Sequence, residues 1–388
     1  MIAKSITRTI TIVLVVFALL AVSAAGFYFG FSYVLSQNER FDRLDEQYGT
    51  GGSMNGEIDR DTPNAVELVI PRAADTRDIA ELLKEKGVIK NVFVFTMLSK
   101  FNGFDGAYMA GTHFVLKTMN YDEIMYSLVQ KPQAVRVTFP EGLTYREVKQ
   151  LLRDAHVNFD ETRLDNMVRN PQFFLDYEFI RDIDNREGRD WLLQGYLFPD
   201  TYEFDLNTNE ETILRTFLNN TERKLDEDDG KYFERAEQMG LTMDEVMTLA
   251  SIIQLETRDG QEMRSVAGVY WKRLNDENWT LSADPTINYL RKEHNLEPKM
   301  WLSQYELNMY SDSLYNTYQH RGLPPGPICS PGRDAILAAL YPETNKYWFF
   351  SAAYDGTTAF AETFEQHEAN IARYDRDKAD AEAAETED

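Results

Sequence analysis

The chain has 388 residues, 43% hydrophobic and 13% aromatic, which is enough apolar surface for a packed core and excludes wholesale disorder. It carries 64 acidic against 40 basic side chains, a formal charge of −24, and a surface that acidic repels phosphate backbones, so nucleic acid is excluded as a partner. One cysteine, Cys329, and five histidines leave no intrachain disulfide, no cysteine-ligated zinc or iron–sulfur cluster and no H-E-x-x-H site, since Ile371 stands where the second His would follow His367-Glu368.

From Thr9 to Asn38 no side chain is charged, and Ile10 to Leu35 is an apolar run of 26 residues. About 20 such residues span a bilayer as a helix, so the run predicts a transmembrane helix over 10–35. Ser23-Ala24-Ala25 looks like a cleavage site, but the apolar run continues through Phe27, Tyr28, Phe29, Phe31 and Tyr33, which favours an uncleaved anchor over a signal peptide. Lys4 and Arg8 precede the run, so the positive-inside bias puts residues 1–9 in the cytoplasm and the rest of the chain outside. Residues 36–64 are polar and Gly-rich around Gly49–Gly56, which predicts a flexible linker.

Regular pattern begins with Val66–Ile70, which alternates like a strand. Asp75 or Thr76 opens a helix with Ile79, Leu82 and Leu83 on one face, stopped by Gly87. A second helix is expected over about 91–100, a second strand over Ala110–Leu116 and a third helix after Asn120. Residues 65–133 thus predict a small α+β module. Another strand, Ala134–Phe139, leads into Pro140-Glu141-Gly142, and Thr144 caps a helix. The remainder of 134–374 reads as mostly helical, with short strands near Tyr347–Ala352 and Thr358–Phe360. Residues 375–388 hold seven acidic and two basic side chains and predict a solvated, disordered tail.

No Walker loop, G-x-G-x-x-G or G-x-S-x-G is present, so chemistry must be sought elsewhere. Met243 to Thr257 predicts a helix that is apolar almost all round, with Val246, Met247, Leu249, Ala250, Ile252, Ile253 and Leu255, and such a helix is buried. Leu249, Ile252 and Glu256 share one stripe, placing Glu256 at the C-terminal end of a core helix. The negative end of the helix dipole and apolar surroundings both raise a carboxyl pKa, as a general acid near neutral pH requires. The alternative is a surface carboxylate paired with Arg258, Arg264 or Lys272. Asp259 with Glu262 three residues on predicts a capping box opening the next helix. Asp284 before Pro285 is either a helix N-cap or a site residue. Tyr315-Asn316-Thr317-Tyr318, Gly195–Tyr202 and the Pro/Gly-dense 322–332 suit a groove wall for a carbohydrate, whose rings have apolar faces and polar edges. The alternative is that their aromatics are core.

Taken together these blocks resemble the endolytic murein transglycosylases, the YceG-like family. The matching stretches are Ala110-Gly-Thr112, Glu141-Gly142, Gly195–Thr201, Ala250–Thr257, Asp284-Pro-Thr286 with Tyr289, Tyr315–Tyr318, Gly322–Gly326, Pro331-Gly332 and His367. The resemblance implies an α+β fold made of an N-terminal transmembrane helix, a LysM-like module and a mostly helical catalytic domain with short strands. It implies a lyase that cuts the β-1,4 bond between N-acetylmuramic acid and N-acetylglucosamine within peptidoglycan strands, leaving 1,6-anhydro ends and so limiting or releasing nascent strands. Glu256 is then the catalytic acid, with Asp284, Tyr289, Asn316 and Tyr318 orienting the sugars and no metal or cofactor. The implied location is the bacterial cell membrane with the catalytic domain outside, beside penicillin-binding proteins.

Two positions depart from the family pattern. The family has a Glu-basic-Glu triplet where this chain has Gln254-Leu255-Glu256, and Thr358 stands where the family tends to have His. The first departure means that the first Glu is dispensable or that the Glu256 pKa is altered. Two rival readings stay open at this point: a catalytically inactive wall-binding protein, and a water-using muramidase with Asp284 as second carboxylate.

Overall fold

In the computed structural model, the structure describes residues 14–26, 28–29, 58, 62–183, 186–226 and 231–386. The expected transmembrane helix is not found. The first helix, α1, covers 14–26, and among the described residues no helix is long and apolar enough to cross a membrane. The thirteen described residues of α1 rise about 20 Å, less than the roughly 30 Å hydrocarbon core. Residues 1–13 and 30–57, which include the ends of that expectation and most of the linker, lie outside the described residues.

The chain divides into two compact units. The first comprises the described residues up to Ala134 together with Asp205–Asn207. Strand β1 (Ala65–Ile70) is followed by α2 (Thr76–Glu85), α3 (Val92–Phe101), β2 (Gly111–Leu116) and α4 (Tyr121–Val129). β1 and β2 pair antiparallel in the register Ala65↔Leu116 to Ile70↔Gly111. Asp75 and Asn120 close capping boxes on α2 and α4, satisfying backbone N–H groups that a helix start leaves unpaired. Leu68, Ile79, Leu83, Phe95, Val115, Ile124 and Leu128 form the core of this unit.

The second unit holds Val135–Phe204 and the described residues from Thr208 onward. Its elements are β3 (Ala134–Thr138), α5 (Tyr145–Asp154), α6 (Glu161–Arg169), α7 (Glu178–Arg181), β4 (Thr201–Asp205), α8 (Glu210–Leu225), α9 (Lys231–Met239), α10 (Met243–Gln254), α11 (Gly260–Leu274), α12 (Asp284–Glu293), α13 (Gln304–Met309), α14 (Arg333–Leu340), β5 (Phe349–Ala352), β6 (Thr358–Ala361) and α15 (Phe364–Thr386). β3 pairs with β4, and β5 with β6 in an antiparallel hairpin. The centre is α10: every residue of it except Glu245 is buried. It packs on α14, α11 and α9, as an all-round apolar helix must. The expected disordered tail is instead the end of α15, which reaches Thr386; its alternation of Ala with Glu and Lys has high helix propensity, and this outweighs the acidic charge.

For two stretches the structure decides between groove wall and core, in favour of core. The Pro/Gly-dense stretch from Pro324 to Gly332 is buried because it lies on α10. Ile328 N–H donates to Ser251 Oγ at 3.0 Å, Cys329 Sγ donates to the Ser251 carbonyl, and Gly332 N–H donates to Gln254 Oε1 at 2.8 Å. Backbone that enters a core must find such partners. The aromatics of 195–202 are core as well: Tyr196, Phe198 and Tyr202 are all buried.

Candidate active site

α10 starts with a capping box of Thr242 and Glu245 and ends at Gln254, with Leu255 as C-cap. Glu256 is therefore one residue past the C-cap, not on the helix's last turn. Its N–H bonds the Ile253 carbonyl at 3.1 Å, and that of Leu255 bonds Ile252, also at 3.1 Å, a tightened i→i−3 closure that turns the chain sharply. Asp259 then caps α11 through the N–H groups of Gln261 and Glu262. The expected capping box is only half made, because the Glu262 side chain goes elsewhere. It accepts from Thr257 Oγ1 at 2.8 Å, Thr358 N–H at 2.9 Å and Thr358 Oγ1 at 2.6 Å. One carboxylate thus ties the turn that follows Glu256 to β6, and these donors, with desolvation opposing them, hold its pKa below the usual range. Thr358 is the residue that departs from the family pattern; here it is an anchor for this turn.

The short turn folds α11 back along α10, and Tyr270, fully buried, donates its phenol O–H to Glu256 Oε1. A buried phenol needs a partner, and here the partner is the carboxyl. Part of Glu256 stays open to solvent while protein closely surrounds its carboxyl. Burial pushes that carboxyl up from 4.5 to about 7; the Tyr270 bond pulls it back, the Asp284 carboxyl adds to the rise and Arg273 opposes it. Arg273 does not pair with Glu256. Its guanidinium donates to the Trp348 carbonyl from Nε at 3.0 Å and Nη2 at 2.6 Å, and to the Leu281 carbonyl from Nη1. The cation is near enough to be felt and committed elsewhere. None of Arg258, Arg264 and Lys272, the partners of the bland alternative, contributes to the Glu256 shift. A half-protonated acid near neutral pH, open on one side, can give a proton to a ligand and take one back.

Asp284 contributes the second carboxyl. It is the first residue of α12, the cap position being Ala283, so it is not an N-cap. Tyr318 donates its phenol O–H to Asp284 Oδ1. The pairing is set by the loop: Thr317 Oγ1 accepts from Ala283 N–H at 3.0 Å and bonds Thr286 Oγ1 at 2.9 Å. Burial raises the Asp284 pKa, and the Tyr318 bond opposes it. Two carboxyls, each held by a tyrosine phenol, therefore share one field.

The other two candidates have different surroundings. Asn316 is fully buried; its Nδ2 donates to the carbonyls of Leu307 at 2.8 Å and Tyr310 at 3.2 Å, and its Oδ1 accepts from Tyr318 N–H at 3.0 Å. It shapes the loop that presents Tyr318. Tyr289 is buried with its ring 4.9 Å from that of Tyr315. Sequence reasoning did not assign Tyr270 and Arg273 to the site. The available signal was that the two lie three residues apart on the apolar, buried side of α11, where a phenol or guanidinium has to find a polar partner.

Comparison with known proteins now bears on this geometry. The model of the YceG-like family matches residues 68–373. The chain belongs to this family. Among curated relatives, the endolytic murein transglycosylase of Streptococcus pneumoniae serotype 2 (strain D39) is 25% identical over 378 residues, covering 92% of this chain and 63% of the relative. That of Bacillus subtilis strain 168 is 28% identical over 326 residues, covering 82% and 87%. The chain thus spans just under two thirds of the length of its pneumococcal relative. A crystal structure of a yceG-like protein from Listeria monocytogenes superposes with a TM-score of 0.53 at 27% identity, covering 79% of this chain and 98% of that one.

Proposed function

We propose that the protein is an endolytic peptidoglycan lytic transglycosylase and that Glu256 is its acid and base. The observation that carries the reading is the Glu256 carboxyl with its pKa near 7 and a neutral phenol as its hydrogen-bond donor, in a chain whose relatives bear that name. Protonated Glu256 gives its proton to the glycosidic oxygen as the C1–O4 bond breaks. The carboxylate left behind is stabilised by the Tyr270 O–H, a bond that strengthens as charge develops. The same carboxylate then takes the proton of the muramic C6 hydroxyl while O6 closes on C1. The products are a 1,6-anhydro end and a free 4-hydroxyl; no water is consumed and Glu256 is restored. Because the attacking hydroxyl belongs to the substrate, its positioning replaces a second catalytic nucleophile. The substrate lies outside the cytoplasmic membrane, so the catalytic unit acts there. The small first unit serves as a LysM-like grip on glycan, and contact with penicillin-binding proteins rests on the resemblance alone.

The presence of Asp284 in the field of Glu256 keeps a second reading specific: a muramidase in which Asp284 activates water. Digestion of purified peptidoglycan with the full chain, followed by mass spectrometry, separates the two. Anhydro-muramic ends support the lytic reaction, reducing ends support hydrolysis, and an unaltered polymer removes both.

A further inference from the structure

The Glu141-Gly142 pair is a motif that the chemistry above leaves unused. Glu141 is exposed, in the turn that leaves β3. An exposed carboxylate is normally left to water, but this one is aimed. Buried Gln254 donates its Nε2 to Glu141 Oε2 at 3.1 Å while its Oε1 accepts the Gly332 N–H at 2.8 Å. The carboxyl rests against Gly332, where any Cβ would collide with it. The turn beneath is fixed by Gly142 N–H to the Ser330 carbonyl at 2.9 Å and Ser330 N–H to the Leu143 carbonyl at 2.8 Å. Gly142, at φ +83, approaches Leu255 so closely that a Cβ would lie 3.1 Å from Leu255 Cδ2. Glu141 is thus next in the chain to Gly142, which packs on exposed Leu255, and Leu255 is next in the chain to Glu256. Among the described residues, Glu141 Oε1 accepts no hydrogen bond. A carboxylate on an exposed residue, held by a buried amide and packed on Gly332, is an element of recognition, because its ordering cost is met before a ligand arrives.

We propose that Glu141 is a substrate-binding residue: its carboxylate accepts a hydrogen bond from a hydroxyl or acetamido N–H of the sugar beside the bond that Glu256 cleaves. This rests on the glycan reading above and adds a binding position to it. Gln254 has the matching role of a positioning residue: its amide N–H donates to Glu141 and its oxygen accepts from Gly332, and it transfers no proton.

Steady-state cleavage by full-length wild type, Glu141→Ala and Glu141→Gln tests it. Glu141→Ala raises KM by about tenfold or more, as loss of a charged hydrogen bond does. Glu141→Gln, which keeps an acceptor for Gln254, raises KM by roughly threefold at unchanged Tm. In both, the pH profile stays where Glu256 sets it. Wild-type KM in both variants overturns the proposal, and so does a rise in KM confined to Glu141→Ala and matched by a fall in Tm, which marks a loop brace. If wild type forms no anhydro ends, the enzymatic reading fails, and calorimetric titration of an N-acetylglucosamine tetramer then reads Glu141 by itself. Binding by Glu256→Gln that weakens about tenfold in the Glu141→Ala double variant upholds it. Equal affinity, or no binding by either, overturns it.

Discussion

α10 has an acid at each end, and the two are treated in opposite ways. At the N-terminal end Asp244, buried, receives the buried Arg189 guanidinium through both oxygens, at 2.6 and 3.0 Å, and the Tyr196 phenol at 2.7 Å. Past the C-terminal end Glu256 receives a phenol, while Arg273 is bonded to backbone carbonyls. The first acid is neutralised by a cation and helps to hold the fold together. The second is buried and denied a cation in contact, so its pKa rises to about 7 and near neutral pH it can both give and take a proton. The same side-chain chemistry on one helix becomes a brace or a proton donor according to which donor faces it.

Each of the following changes attacks that contrast. Glu256→Gln keeps shape and hydrogen-bonding capacity but cannot transfer a proton; anhydro-end formation falls by on the order of 10³ or more, with the circular dichroism spectrum unchanged. Retained activity would move the acid elsewhere. Asp244→Ala strands the Arg189 charge in the core and costs about 3–5 kcal/mol, a drop in Tm on the order of 10 °C, readable by calorimetry.

The third effect is on stability against pH. The folded-state pKa of Glu256, about 7, lies above its ordinary 4.5, so the folded chain binds this proton more tightly than the unfolded chain. The stability this contributes is complete below about pH 4.5 and is lost as pH rises through about 7. Glu256→Gln removes the loss. Its Tm therefore gains on wild type between about pH 5 and 8, by the equivalent of up to about 2 kcal/mol once partial exposure is allowed for. A Tm difference that stays constant over that range would contradict the raised pKa. The smallest effect is that of Tyr270→Phe. The phenol favours the carboxylate, so removing it raises the Glu256 pKa further. The limb on which activity falls with rising pH moves to higher pH by about one unit or less, and maximal turnover drops about tenfold because the forming carboxylate loses its donor. An unmoved limb would show that the phenol does not act on Glu256.

Much of the first unit was legible: β1, α2, α3, β2 and α4 lie where alternation, helical periodicity and the caps Asp75 and Asn120 put them, because these signals are local. Over 10–35 the apolar run predicted a membrane span, whereas the helix described there, 14–26, is not long and apolar enough to be one. The acidic end of α15 misled because propensity and charge oppose each other there. The loop over 322–332 misled because Pro and Gly density signals irregular backbone but not its burial; Ser251 and Gln254, far away in sequence, supply the partners that let it enter the core.

From the sequence alone it follows that Met243 to Gln254 forms a buried helix and that an acid stands just past its end, since a helix apolar on every side has no stable place at the surface. That this acid would face a phenol, with Arg273 turned to the Trp348 and Leu281 carbonyls, was decided by the packing of α11 and the β5–β6 hairpin around it. Hydrogen-bond partners of buried groups are chosen by three-dimensional proximity among residues 8 to 75 positions apart and outside one another's helix, where periodicity has no hold.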